Sequence, residues 1–260
     1  MLHKFLNLLT AQFGLDLRRL LQAFVALPGY LLDLRYFRKA SMQRLVINPQ
    51  LHDRESQGGT ARSEYFWQDL YVARKIFEAN PKKHVDVGSR FDGFVAHVAS
   101  YREIEVIDVR PIDTTVPGVT FRRLDMTADH QLPREYTDSV SCLHALEHFG
   151  LGRYGDPIDA EGHTKGLKNI ADLLRDQGRL YLSTPIGEER VEFNANRVLC
   201  PKGLVQFAST LGLKLVSLSW VIPDKGVIES IDTESDLDRL RSLQYTLGIF
   251  VFIKREQPPR

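Results

Sequence analysis

The 260-residue sequence is poor in cysteine and has no long apolar run. Its two cysteines, Cys142 and Cys200, make no metal-binding or disulfide framework and suit a reducing compartment. The longest uncharged stretch near the N-terminus, residues 20–32, is shorter than the ~20 apolar residues of a membrane-spanning helix. An excess of one charge is missing too, because 34 Lys and Arg face 33 Asp and Glu, which gives a net charge of +1. Nucleic-acid binding is therefore not expected, and the composition predicts a globular, cytoplasmic protein.

The near-zero charge is unevenly distributed along the chain. Residues 1–44 have a net charge of +5, so the rest of the chain has a net charge of −4. The segment is a poor match to a secretory signal, because Asp16, Arg18 and Arg19 interrupt the apolar region. Residues 1–44 therefore predict a basic, amphipathic helical extension. Two interpretations stay open for it: peripheral docking on an anionic membrane or a partner, or packing on the domain as a helical cap.

After this extension, the sequence predicts a linker followed by one large domain. Residues 45–62 contain Pro, Gly and Gln with little periodicity, which is typical of a linker or loop. From residue 63 to residue 260 predicted helices alternate with predicted strands, which favours a mostly parallel sheet covered by helices on both faces. The last two strands lack a helical crossover packed on the sheet, so we expect one of them to run antiparallel at an edge.

Acidic residues stand at the ends of the first three predicted strands. Asp86 precedes Gly88 at the end of the first strand, and Asp108 ends the second strand 22 residues later. This spacing positions an acid for the ribose hydroxyls of a nucleoside. After the third strand, Asp125 can accept an adenine amino group while Met126 packs on the ring. Gly88 would let the chain pass close under a ligand.

The loop after the first strand departs from the dinucleotide-binding pattern. It reads GSRFDG, with Gly88 and Gly93 as its only glycines, whereas a nicotinamide-dependent oxidoreductase would require G-x-G-x-x-G. Asp92 is predicted to be the N-cap of the following helix. The loop therefore argues against an oxidoreductase.

In order along the chain, the segments DVGSRFDG, IDVRP, LDMT, DSVSCLHALEHF and GRLYLSTP resemble the class I S-adenosylmethionine-dependent methyltransferases. The resemblance covers roughly residues 64–254. The stretch ALEHFGLGRYGDPID, with FNANR, is similar to a methyltransferase-like family catalogued only as a domain of unknown function. For the fold, the resemblance implies a Rossmann-like three-layer sandwich with a seven-stranded, mostly parallel sheet whose last strand is antiparallel.

The resemblance also implies S-adenosylmethionine as the cofactor. Its methionine part would face Asp86, Gly88 and Ser89 in a loop that includes Gly93. The ribose would bind Asp108, the adenine would lie against Asp125 and Met126, and the backbone near Leu143 and His144 would form the other flank. In the family a further glycine usually stands where this sequence has Arg90 or Phe91.

The segment His144-Ala-Leu-Glu147-His148 follows the fourth strand and contains the candidate general base. His148 has a suitable ordinary pKa of about 6.5, and its alternative role is to support the loop. Glu147 and His148 are adjacent and would point apart on a helix, so we do not expect a close pair. His144 and His148 have no further ligand at a characteristic spacing, so no metal site is expected.

Two polar loops are predicted to form the substrate mouth. Residues 150–163 offer Arg153 and Tyr154 as substrate-binding groups and Asp156 as a catalytic acid or base, although the Asp156-Pro157 pair is equally typical of a turn. Residues 193–198 would add Asn194, Asn196 and Arg197, unless these side chains hold their own loop together. Such groups suit the hydroxyls of a polar small molecule or glycan.

Two hypotheses about function remain at this point. The first is an S-adenosylmethionine-dependent methyltransferase that methylates an oxygen of a polar small molecule or glycan. The second is a catalytically inactive protein of the same fold that binds or scaffolds at a membrane-associated complex. The irregular glycine loop and the basic N-terminal extension motivate the second hypothesis.

Overall fold

A computed structural model of the protein describes residues 10, 14, 16–54, 61–129 and 132–256. The chain divides into two compact units, with the boundary between residues 60 and 61. The remaining residues of the predicted extension and linker, including residues 55–60, lie outside the described part of the chain.

The first unit contains one long helix, α1, which spans Leu17–Ala40. Asp16 caps it by accepting hydrogen bonds from the backbone N–H groups of Arg18 and Arg19, at 3.0 and 3.2 Å. Pro28 lies inside this helix. Residues 41–54 then contain neither helix nor strand. Of the predicted linker, the described residues 45–54 therefore have the expected irregular backbone.

The second unit alternates strands and helices. Its helices are α2 (Glu64–Ala79), α3 (Ala96–Ala99), α4 (Gly162–Leu173), α5 (Pro201–Thr210) and α6 (Thr233–Leu240). Its strands are β1 (His84–Val87), β2 (Ile104–Asp108), β3 (Val119–Arg123), β4 (Thr137–Leu143), β5 (Leu174–Ile186), β6 (Arg190–Glu192), β7 (Asn196–Val198), β8 (Leu213–Ile222), β9 (Gly226–Glu229) and β10 (Thr246–Lys254). A short π-helix, Phe91–Val95, precedes α3.

The main sheet has eight strands in the order β3-β2-β1-β4-β5-β10-β8-β9. Strands β1 to β5 are parallel, and β10 is antiparallel to both of its neighbours. The expected seven-stranded sheet with an antiparallel last strand is confirmed, and β9 adds an eighth strand by a hairpin with β8. The expectation that the antiparallel strand lies at an edge is wrong. β10 is an interior strand, consistent with its almost wholly buried residues, and β9 takes the edge.

Apolar residues from the helices pack on both faces of this sheet. One core joins the sheet to α4, α5 and α6 through residues such as Ile170, Leu204 and Leu240. The other core joins it to α2 and the Phe91–Val98 segment through residues such as Ile76 and Phe94. Helices on two faces of a parallel sheet leave the carboxyl ends of its strands open, and this edge is where such sheets bind ligands.

The connection from β1 to its helix differs from the sequence prediction. Asp92 does not cap the helix. Its carboxylate is bound by the Arg90 guanidinium at 2.8 and 3.1 Å, and Arg90 itself occupies the N-cap position. The bidentate pair two residues apart competes with backbone capping, because both groups are exposed and free to meet.

Candidate active site

A cleft opens at the carboxyl ends of β1, β2, β3 and β4. It encloses about 730 Å³ of empty space, part of it open to solvent. Its predicted lining residues are Gly88, Asp108, Asp125, Met126, His144, His148, Tyr154 and Asp156, and its walls also include Tyr65, Arg90, Arg110 and Phe149. Side chains separated by tens of residues therefore meet at this edge of the sheet.

Gly88 forms the floor of the cleft and cannot be replaced without strain. Its φ of +71° lies in the left-handed region, and a Cβ atom at this position would lie 2.9 Å from the Cβ of Ala145. Gly93, by contrast, packs outside the cleft, where its Cβ would collide with a carboxylate oxygen of Asp69 in α2. The two predicted glycines thus have different roles: Gly88 keeps the cleft open, and Gly93 allows close packing.

Asp86 and Ser89 lie beneath the loop and do not line the cleft. The Asp86 carboxylate is fully buried and accepts hydrogen bonds from the Ser89 backbone N–H at 3.0 Å and from the Ser89 and Ser141 hydroxyls at 2.5 Å. Burial raises the pKa of Asp86 to about 7, against the opposing effect of these hydrogen bonds. The contact with the methionine part implied by the resemblance does not fit this placement, because the carboxylate is turned onto β4 and its oxygens already have partners.

Asp108 ends β2 at the cleft, but Arg110 already occupies its carboxylate. Arg110 donates to it from its backbone N–H at 2.8 Å, from Nε at 3.0 Å and from Nη2 at 2.5 Å. The same guanidinium lies 4.4 Å from the ring centroid of Tyr154. A ligand hydroxyl can therefore reach this carboxylate only by sharing it with Arg110 or displacing it.

Asp125 and Met126 form the far wall of the cleft. One oxygen of Asp125, Oδ1, accepts hydrogen bonds from the backbone N–H and the hydroxyl of Thr127, at 2.8 and 2.7 Å. The other oxygen, Oδ2, accepts none from the described residues, so it remains available to a donor in the cleft. Met126 is 3% exposed and contributes an apolar surface beside it. A planar ring with an exocyclic amino group suits this pair.

A buried cluster of charges stands on the opposite wall. His144 Nδ1 lies 2.6 Å from Glu147 Oε1, and His144 Nε2 lies 3.2 Å from Glu64 Oε1. Burial disfavours the imidazolium, but the hydrogen bonds to Glu147 and Glu64 and their charges outweigh it and raise the pKa of His144 to about 9. The His144 ring also stacks on Tyr65, with ring centroids 4.6 Å apart. His144 is therefore a cation at neutral pH and cannot act as a base there.

His148 is the group with the properties of a base. Its Nδ1 lies 2.8 Å from the carbonyl oxygen of Ala195. Because a carbonyl only accepts, Nδ1 carries the proton, and Nε2 holds the lone pair of the neutral ring. Burial lowers the pKa of His148, so the ring is neutral at pH 7. The expectation that Glu147 cannot approach His148 is wrong. A 3₁₀ turn at Leu146–His148 places Glu147 Oε1 3.7 Å from His148 Nε2.

The loop after this turn holds Asp156 in a structural role. Its carboxylate accepts backbone hydrogen bonds from Gly150 at 2.9 Å, Gly152 at 3.2 Å and Tyr154 at 3.1 Å. This arrangement is the turn alternative rather than the catalytic one, because the carboxylate oxygens are occupied by backbone N–H groups of their own loop. The Tyr154 ring meets His148 edge-on at 5.4 Å. The loop therefore supplies an aromatic wall beside the candidate base.

The second predicted substrate loop is divided between bracing and exposed groups. Arg197 is buried and donates to the carbonyl oxygens of Glu147, Phe149 and Ala160, at 3.3, 2.7 and 3.2 Å. It braces the 150–163 loop and is not available to a substrate. Asn196 donates weakly to the Arg197 carbonyl at 3.3 Å. Asn194 is exposed at the tip of the β6–β7 hairpin.

Arg153 completes the rim of the cleft. Its Nη1 donates to the Ala195 carbonyl at 2.7 Å and lies 3.5 Å from His148 Nδ1. The Ala195 carbonyl therefore contacts both Arg153 and His148, and it determines which nitrogen of His148 carries the proton. A rim cation beside the candidate base also disfavours protonation of that base, in the same direction as burial.

Three features of the cleft were missed from the sequence. Tyr65 and Glu64 begin α2 and reach the cleft only through the packing of that helix on the sheet. Arg110 stands two residues after Asp108, and this short spacing was a usable signal for the ion pair.

Within the described ranges, no cluster of three or more His, Cys, Asp or Glu side chains is arranged to hold a metal ion.

Solved structures of other proteins share this architecture. The N-methyltransferase NodS from Bradyrhizobium japonicum, in complex with S-adenosylhomocysteine, is 10% identical with a TM-score of 0.52, over 75% of this chain and 90% of that one. The 1,6-didemethyltoxoflavin-N1-methyltransferase of Burkholderia thailandensis, with S-adenosylhomocysteine bound, is 14% identical with a TM-score of 0.50, over 72% and 79%. The chain has the class I methyltransferase fold.

This methyltransferase fold agrees with the resemblance seen in the sequence and does not by itself define a reaction. The [4+2]-cyclase SpnF shares it, at 12% identity and a TM-score of 0.51, over 72% of this chain and 82% of that one. A family model described as a Caenorhabditis protein of unknown function, DUF268, matches residues 119–217, less than half of the chain. A search of curated proteins found no match.

Proposed function

We propose that the protein is an S-adenosylmethionine-dependent methyltransferase acting on an oxygen of a polar small molecule or glycan. The observation that carries the proposal is the juxtaposition, in one cleft, of a nucleoside-type wall and a neutral imidazole base. Asp125 and Met126 form that wall, and His148 is the base, with Gly88 as the floor between. Similarity of fold to methyltransferases that bind S-adenosylhomocysteine supports the cofactor.

The residues of the cleft suit this cofactor. Gly88 leaves the space that a Cβ would fill, Asp125 Oδ2 is available to an amino group, and Asp108 lies where ribose hydroxyls would be bound. When bound, S-adenosylmethionine supplies a methyl group activated by a positively charged sulfonium. Acidic side chains around the cleft stabilise such a cation. Arg110 opposes binding most directly, since it occupies the Asp108 carboxylate, and the cationic Arg90 and His144 also line the cleft.

His148 would remove the proton from the acceptor hydroxyl as the new bond forms. The Ala195 carbonyl holds the ring in the tautomer with the lone pair on Nε2. Glu147 Oε1, 3.7 Å from Nε2, stabilises the imidazolium once the proton is transferred. Such a positioned base contributes about 10²–10⁴-fold to a rate. Asp156 has no step in this scheme, because its oxygens order the loop.

The acceptor class follows from the rim. Tyr154 lines the cleft with an aromatic face and a hydroxyl, Arg153 places a guanidinium at the Ala195 carbonyl beside His148, and the neighbouring Asn194 exposes an amide. Aromatic faces and planar hydrogen-bonding groups suit sugar-like acceptors, whose rings carry apolar faces and peripheral hydroxyls. This assignment supports a polar, hydroxyl-bearing acceptor, and it rests on the rim alone.

Calorimetric titration with S-adenosylmethionine tests the cofactor. We expect micromolar binding by the wild type, a loss of at least about tenfold in Asp125→Ala, and unchanged binding in Asp113→Ala, an exposed acid outside the cleft. His148→Asn should bind the cofactor normally but lose methyl transfer to a panel of hydroxyl acceptors. Absence of cofactor binding by the folded wild type would contradict the proposal.

A second candidate function follows from the occupied Asp108. If Arg110 keeps this carboxylate, the protein is a binding or scaffold protein that retains the fold without catalysis. This alternative predicts no S-adenosylmethionine binding by the wild type and restored binding in Arg110→Met. The same titration therefore separates the two functions.

A further inference from the structure

Helix α1 carries a wide apolar face that the described residues of its own unit leave exposed. None of its residues is buried in the part of the chain that the structure describes. Leu21, Phe24, Val25 and Leu32 are 67–78% exposed. Exposing so many large apolar side chains on one element is unfavourable in water, so this face requires a partner.

Between residues 20 and 32 the exposed large side chains share one side of the helix, whereas the exposed Phe37 lies on the other side. At about 100° per residue, the large side chains between residues 20 and 32 spread over roughly half of the circumference. The opposite side bears Ala23, Ala26 and Tyr30, which are half-buried, and Gln22. A coiled-coil seam would be a narrower stripe. A broad apolar face is typical of a helix lying in the plane of a membrane surface.

The charges of α1 are arranged to match an anionic surface. Arg35, Arg38 and Lys39 follow the apolar residues on the same side of the helix, are exposed, and form no ion pair with the described residues. Asp33, the one acid within Leu17–Ala40, lies on the other side, where Arg54 pairs with it at 2.8 Å. The apolar side is therefore bounded by unpaired cations and carries no acid.

Length and charge exclude two other modes of burial. The uncharged residues 20–32 extend over only roughly 20 Å, and none of the described helices is long and apolar enough to cross a membrane. Pairing with a second copy would bring like charges together in either orientation, because Arg18 and Arg19 stand at one end and Arg35, Arg38 and Lys39 at the other.

We propose that α1 docks the protein on an anionic lipid bilayer, with its apolar face in the interface and Arg35, Arg38 and Lys39 at the headgroups. This inference does not depend on the proposed methyl transfer, because it concerns only the first unit. Binding should require both the apolar face and anionic lipid, and it should weaken with salt because exposed charges are screened.

Co-sedimentation of the full-length protein with vesicles tests the inference. Vesicles of phosphatidylcholine with about 30 mol % phosphatidylserine should bind the wild type, while pure phosphatidylcholine should bind it on the order of 100-fold less, at about five-fold per basic residue for three residues. Arg35→Gln/Arg38→Gln/Lys39→Gln should show the same loss. Phe24→Asp/Leu31→Asp should lose binding to both vesicles.

Matched controls lie in the second unit. Val216→Asp/Ile231→Asp changes exposed apolar residues, and Arg74→Gln/Lys168→Gln/Lys214→Gln removes the same charge from exposed positions; both should bind like the wild type. Wild type that stays in solution with both vesicles would overturn the proposal. So would a wild-type dimer in sedimentation velocity that Phe24→Asp/Leu31→Asp converts to monomer, since the occupant would then be a second copy.

Discussion

Replacing Glu147 by Gln removes the anion that holds a proton on the buried His144 ring. Glu147 is fully buried and lies 2.6 Å from His144 Nδ1, while Glu64 contributes a second, more exposed contact at 3.2 Å. Glutamine keeps the shape of the side chain but not its charge. We therefore expect the pKa of His144 to fall substantially in this variant.

The magnitude follows from the two pKa values of His144. The pKa rises from 6.5 in the unfolded chain to about 9 in the folded protein, and each pKa unit corresponds to about 1.4 kcal/mol. The protonated ring thus contributes on the order of 3 kcal/mol to the free energy of unfolding. Because the folded pKa is the higher one, this stability is fully present below pH 6.5 and is lost as the pH rises through 9.

Urea unfolding between pH 6 and pH 10 measures this contribution. Titration of His144 should cost the wild type about 3 kcal/mol over that range, in addition to the loss from the buried Asp86 that both proteins share. Glu147→Gln should lose correspondingly less while being less stable at neutral pH. Glu103→Gln serves as the matched control, because Glu103 is an exposed acid directly before the start of β2, at the end of that strand opposite to the cleft. NMR titration of the His144 ring gives a direct reading of its pKa. A ring that titrates at or below 6.5, or an unchanged pH dependence in Glu147→Gln, would refute the reasoning.

Three further predictions concern the cleft and its loop. Gly88→Ala should abolish cofactor binding and cost more stability than Gly155→Ala, since both glycines have positive φ but only at Gly88 would the new Cβ meet another atom; calorimetry and thermal unfolding compare them. Arg110→Met should release Asp108 and tighten S-adenosylmethionine binding several-fold, whereas equal or weaker binding would argue that Arg110 assists the ligand. Arg197→Met leaves buried carbonyl groups unpaired and should cost about 3 kcal/mol in urea unfolding.

Much of the fold was predictable because the pattern of apolar residues is local. Runs such as residues 104–108 and 246–254 are rich in apolar and β-branched residues, so they indicate strands without knowledge of their neighbours. The place of β10 between β5 and β8 was not predictable, because pairing joins residues far apart in sequence. The sequence of residues 246–254 does not determine which strands lie beside them.

In the candidate site, too, local sequence signals were predictable and contacts between distant residues were not. Asp86 and Asp108 carry the same signal, an acid at the end of a buried strand, but they differ in role. Asp86 pairs in register with Ser141 of β4 and is bound by its hydroxyl. Asp108 lies at the cleft, where it is bound by Arg110. Strand order decides that Asp86 meets Ser141, whereas Arg110 reaches Asp108 from two residues along the chain. The sequence could therefore indicate the partner of Asp108 but not the burial of Asp86 against β4.

The sequence by itself determined the alternation of strands and helices, the acids at the strand ends and the basic N-terminal segment, because each is a property of consecutive residues. Only the tertiary structure decided which polar groups remain free. It joined His144 to Glu147 and Glu64, used Arg197 and Asp156 to hold the loop, and left His148 neutral. Hydrogen bonds and burial depend on distances between elements, and those distances exist only once the sheet has formed.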